Sequence, residues 1–79
     1  MKKIPIAFVL VDAEVDRVKD ILRKIREIEN VAEAYTVAGE RDIILKAEAD
    51  GFKEVAEAVT KQVHKIEGIE DTMTFFAFE

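Results

Sequence analysis

The order in which hydrophobic periodicity changes along the chain limits its fold more than any other feature. Ile4 to Val11 is a continuous apolar run of strand length, the pattern of a strand covered on both faces. Val15, Val18, Ile21, Leu22, Ile25 and Ile28 then recur at spacings of three and four, which predicts an amphipathic helix. Val31 to Val37 reads as a second strand, Ala38 to Arg41 as a glycine-containing hairpin loop, and Asp42 to Ala49 as a third strand. In that third strand Ile43, Leu45 and Ala47 share one face, and Asp42, Ile44, Lys46 and Glu48 the other. Phe52, Val55, Ala56, Val59, Val63 and Ile66 form the stripe of a second helix. Ile69 to Phe78 is a fourth strand, with Ile69, Met73, Phe75 and Ala77 on one face and Thr72, Thr74, Phe76 and Phe78 on the other. Asp12 and Asp50 are the candidate N-caps, and Asn30 and Gly68 the candidate helix ends.

The resulting order is β-α-β-β-α-β. Right-handed crossovers place both helices on one face of a four-stranded antiparallel sheet. The expected class is α+β and ferredoxin-like, with residues 1–79 forming one domain. The other sheet face should then be polar, yet both alternation classes of the first strand are apolar: Ile4, Ile6, Phe8 and Leu10 against Ala7, Val9 and Val11. An apolar face of this kind marks an interface, and isologous packing of two such sheets is the simplest closure. A homodimer joined through that face is expected.

Size supports this. A chain of 79 residues has a marginal core and needs a further source of stability. With no cysteine, disulfides and thiolate metal sites are ruled out, and a single histidine argues against a His-rich site, so oligomerisation remains. Charged residues make up 37% of the chain, mixed in sign along the helices, with a net charge of −5, which argues against direct nucleic-acid binding. Abundant Glu and Lys beside one Asn and one Gln resemble a thermophile composition. Met1-Lys2-Lys3 and the apolar run after it lack a small-residue cleavage site, and no stretch approaches a membrane span. A cytoplasmic protein is expected, with no membrane partner.

Two short motifs carry the functional signal. Gly39 and Asp42 form G-x-x-D in the hairpin, and Gly68, Ile69, Thr72 and Thr74 form G-I-x-x-T-x-T entering the last strand. A carboxylate and two hydroxyls on one strand face, beside exposed loop backbone, could hold a small zwitterion. Asp42 could equally serve to hydrogen-bond the hairpin backbone, and the threonines could be β-formers on a half-buried face. His64 reads as structural or solvated, and Tyr35 as an interface residue. No catalytic residue emerges: there is no serine or cysteine, no phosphate loop and no dinucleotide fingerprint. No cofactor and no metal is expected.

In this order and spacing, Val31, Gly39, Asp42, the Ile43-Ile44-Leu45 run, Ile66, Gly68, Ile69, Thr72 and Thr74 resemble the ligand-binding (RAM) domain of the Lrp/AsnC family. The resemblance covers nearly the whole chain. It implies a free amino acid as effector, bound in clefts between dimers of an octamer-like ring. It also implies that Ala38, Gly39, Glu40, Arg41 and Asp42 line the cleft with Thr72 and Thr74, Asp42 accepting from the ligand ammonium. Relatives often carry an aromatic residue where Arg41 stands. The first strand begins at Ile4, which leaves no room for the family's helix-turn-helix domain. A stand-alone effector domain is therefore expected, acting in regulation alone or with full-length Lrp/AsnC regulators. The rival readings are a ligand-independent assembly adaptor and a small ferredoxin-like dimeric enzyme.

Overall fold

The structure is a computed structural model and describes residues 5–39 and 42–77. Strand β1 runs over Ile6–Ala13, helix α1 over Val18–Arg26, β2 over Val31–Thr36, β3 over Ile43–Glu48, helix α2 over Phe52–Glu57 and β4 over Ile69–Ala77. A 3-10 turn, Val15–Arg17, leads into α1, and a π-helical segment, Ala58–Val63, extends α2. The sheet is four-stranded in the order β2-β3-β1-β4, and its three pairings are all antiparallel. This is the ferredoxin-like arrangement that the periodicities predict. Among the described residues no helix is long and apolar enough to cross a membrane.

Alternation decides which residues form the core. Ala7, Val9 and Val11 of β1 and Ile43, Leu45 and Ala47 of β3 face the helices, where they meet Ile21 and Ile25 of α1, Val55 of α2 and Val59 and Val63 of the π-helical segment. All are shut from solvent, and no charged or polar residue is buried among the described residues. Burying a Val, Leu or Ile side chain contributes roughly 1.5–3 kcal/mol, so this single layer holds the sheet and helices together. Ala58, absent from the expected stripe, is also buried.

Several expected boundaries shift. Strand β1 continues through Asp12, so Asp12 is no N-cap; Glu14 precedes the first turn and makes no side-chain cap bond. The second N-cap is Gly51 rather than Asp50, again without a side-chain bond. Helix α1 ends at Arg26, and Asn30 does not take the left-handed conformation: among the described residues only Gly39 and Gly68 have positive φ. Asn30 instead donates its side-chain amide to the Glu48 carbonyl at 3.3 Å. Val15 and Phe52, assigned to helix stripes, are exposed because each sits at its helix entry, outside the packed layer. Ile4 and Phe78 lie outside the described residues.

The two glycines differ in what requires them. At Gly39, φ is +127° and nothing stands near the missing Cβ, so backbone conformation alone selects glycine. At Gly68, φ is +100° and a Cβ would lie 2.7 Å from Arg17 Cδ and 3.0 Å from Ile21 Cδ1. The chain there passes tightly under α1, and the Gly68 carbonyl accepts from the Glu14 amide at 2.9 Å.

Candidate functional site

The G-x-x-D hairpin lies where β3 begins, beside the end of β1. The Val37 amide donates to the Asp42 carbonyl and the Asp42 amide donates to the Val11 carbonyl, each at 2.9 Å. The Asp42 side chain reaches further along β1 and accepts from the Ala13 amide at 2.9 Å through Oδ2. Asp42 therefore binds backbone, as the structural reading allows, but that of β1 rather than of its own hairpin. The same end of β1 carries an irregularity against β4: Asp12 pairs with Asp71 and Ala13 with Ile69, so Glu70 is an extra residue on β4. Bulges of this kind re-aim side chains and often stand next to functional sites. A carboxylate has about four lone-pair directions, so one bond to Ala13 leaves Asp42 able to accept from an ammonium group. Ala38 and Gly39 are exposed, and Asp42 is half-buried. Glu40 and Arg41 lie outside the described residues.

Thr72 and Thr74 of β4 pair with Val11 and Val9 of β1. Cross-strand partners share a face, so both threonines lie on the helix-covered side, at the edge that β4 forms. The Thr72 hydroxyl is 2.9 Å from His64 Nε2, a contact that periodicity could not reveal. His64 follows the π-helical segment, and its amide bonds the Val59 carbonyl at 3.1 Å, five residues back. Val11 has Ile43 on one side and Thr72 on the other, so β1 stands between the hairpin strand and the threonines. Two strand spacings amount to roughly 10 Å.

The opposite sheet face carries Phe8, Met73 and Phe75, which are 38%, 42% and 52% exposed, with Ile44 and Leu10 half-buried between them. Phe8 pairs with Phe75 and Leu10 with Met73, which makes one continuous apolar patch. At its β2 side lies an ionic rim: Lys46 Nζ is 3.1 Å from Glu48 and 3.9 Å from Glu33, and the Tyr35 hydroxyl donates to Glu33 at 2.8 Å. That bond to a carboxylate raises the Tyr35 phenol above its ordinary value. A cleft of about 170 Å³ lined by Phe8, Tyr35, Ile44 and Lys46 opens on this face, and one of about 270 Å³ lies by Arg26 along the outer edge of β2. Neither is at the hairpin. In the second, the Arg26 guanidinium already donates to the Ala34 carbonyl at 2.7 and 3.1 Å, which covers the free strand edge.

Residues 6–79 match the Lrp/AsnC ligand binding domain, and the chain belongs to the Lrp/AsnC family. An uncharacterized HTH-type transcriptional regulator of Pyrococcus furiosus is 36% identical over 75 residues, covering 91% of this chain and 50% of that protein. The chain spans about half the length of the curated relatives it matches. The crystal structure of TTHA0845 from Thermus thermophilus superposes with a TM-score of 0.89 at 33% identity, over 95% of this chain and 94% of that one. A transcriptional regulator of Neisseria meningitidis, solved as an L-methionine complex, shares the fold, with a TM-score of 0.81 at 21% identity, over 95% of this chain and 50% of that one.

Proposed function

We propose that this chain is an amino-acid-binding regulatory module of the cytoplasm, without enzymatic activity, which binds its effector between copies of itself. The observation that carries this reading is the placement of the two motifs. The backbones of Asp42 and Thr72 flank opposite sides of β1, about 10 Å apart by strand spacing. The ammonium and carboxylate of a free amino acid share one carbon, so groups set on the two sides of a strand serve them best when a second copy contributes one set. A hairpin from one copy facing β4 of another would bring Asp42, the backbone at Ala38 and Gly39, and the Thr72 and Thr74 hydroxyls together. Glu40 and Arg41 complete the proposed hairpin contribution. Charge-assisted bonds of this kind contribute about 1.5–3 kcal/mol each.

The apolar face formed by Phe8, Met73 and Phe75 supports the assembly this requires. Two copies packed through that face would form the basic dimer, and the hairpins would meet where dimers join in a larger, octamer-like ring. A ligand that bridges copies favours the assembled state. Regulators of the same family, which carry this domain as half their length, are candidate partners for mixed assemblies.

Native mass spectrometry of the protein, alone and with each of the twenty L-amino acids, tests this. The expected result is an even-numbered oligomer that gains ligand mass, or changes size, with a few of the twenty. Asp42→Ala combined with Thr74→Ala should abolish that uptake while the far-ultraviolet circular dichroism stays native. A fixed oligomer indifferent to all twenty would overturn the reading in favour of an assembly adaptor.

A further inference from the structure

We infer that His64 is a positioning residue of the amino-acid site, holding the Thr72 hydroxyl in one orientation for the bound ligand. This rests on the reading above, in which Thr72 lines the site. The geometry is direct: Thr72 Oγ1 and His64 Nε2 are 2.9 Å apart, and they come from different elements.

The helix is built in a way that delivers the ring. α2 ends at Glu57, and the next six residues, Ala58–Val63, are π-helical. π segments are rare within α-helices and are frequently found at functional sites. Here the i→i−5 bond from the His64 amide to the Val59 carbonyl closes the segment. Val59 and Val63 remain in the core, while the His64 ring reaches Thr72 of the edge strand β4. The packing stripe is thus kept, and the residue after it is placed on Thr72.

The chemistry follows from the hydroxyl's inventory of one proton and two lone pairs. If Nε2–H donates to Thr72, the hydroxyl proton is left to point outward, toward a carboxylate. If bare Nε2 accepts the proton, the lone pairs point outward, toward an ammonium. In either tautomer the bond restricts the hydroxyl rotor, and the His64 tautomer sets which side of the zwitterion Thr72 is disposed to meet. A preorganised polar group costs less to order on binding than a freely rotating one.

Isothermal titration with L-methionine, and with whichever of the twenty L-amino acids native mass spectrometry shows to bind, tests this on four variants: His64→Ala, His64→Gln, Thr72→Ala and the double His64→Ala/Thr72→Ala. His64→Ala should weaken binding about threefold to tenfold, the range of a single neutral hydrogen bond. His64→Gln, which keeps a side-chain amide within reach, should recover part of that loss. The double variant should bind no more weakly than Thr72→Ala, because His64 acts only through that hydroxyl. Thermal melting should be alike for all four, since both side chains are at the surface. If Thr72→Ala weakens binding and His64→Ala does not, or if the two losses add, the role of His64 is overturned while the site stands. If the wild-type protein takes up none of the twenty, the site and the positioning role fall together.

Discussion

Val9 and Leu45 are closed to solvent under the helices, while Phe8 and Phe75 stand exposed on the other side of the same sheet. Hydropathy does not separate the two groups, since both are large and apolar. What separates them is the period-2 alternation of the strands and the side on which both crossovers place their helices. The covered face contributes its stability within one chain. The open face can contribute only when something covers it, and its cross-strand pairs, Phe8 with Phe75 and Leu10 with Met73, are already arranged as a surface. On the proposed assembly, a chain of this size that leaves such a patch open draws part of its stability from a second copy.

Substitutions on the two faces should therefore fail in different ways. The largest effect belongs to the covered face. Leu45→Ala removes a side chain that is 1% exposed, from the centre of the sheet, and should cost about 2–5 kcal/mol of folding free energy. Urea denaturation followed by circular dichroism would measure it. A loss below about 1 kcal/mol would mean that the helices collapse onto the gap and that the two faces are less distinct than their packing indicates.

On the open face Phe75→Lys should do little to the folded chain itself, within about 0.5 kcal/mol, because the side chain is already half in water. Its effect should appear in assembly. Native mass spectrometry should show the even-numbered oligomer replaced by monomer, and the melting temperature should stop depending on protein concentration. An oligomer that survives Phe75→Lys intact would move the interface elsewhere, to the edge of β4 or the outer edge of β2.

The fold was legible because each element carries its own period. Ile43, Leu45 and Ala47 announce their common face, and all three are buried there. The ends were less legible, because the rules that place caps rely on side-chain bonds that none of the described N-cap residues makes. Asp12 and Asp50 look like N-caps, yet β1 runs on through Asp12 and Gly51 is the N-cap of α2. The hairpin glycine was legible from its turn, whereas Gly68 is required as much by Arg17 and Ile21 above it, a tertiary fact that local pattern does not carry. In the candidate site Asp42 could be singled out by spacing, but its grip on the Ala13 amide joins residues 29 positions apart. His64 could not be singled out at all. Its contact with Thr72 depends on a π turn, which has no signature in the residues Ala58 to Val63.

The smallest effect in the comparison lies on neither face of the sheet but on the outer side of α1. There Asp20 pairs with Arg23 one turn on, and with Lys24 at 3.4 Å. Its carboxyl is held below the ordinary value of 3.8, chiefly by the hydrogen bond from Arg23 and then by that from Lys24. A carboxyl whose pKa is lower in the folded chain stabilises the fold only while ionised. Its contribution is therefore complete above about 3.8, the unfolded value, and disappears as pH falls through the lower folded value. Asp20→Asn should melt slightly below the wild type at neutral pH, and the two curves should meet in acid. Because the pair is exposed, added salt should shrink the gap at neutral pH as acid does. A gap that persists at low pH and high salt would mean that Asp20 acts by packing on α1, and that the outer side of the helices contributes to the core after all.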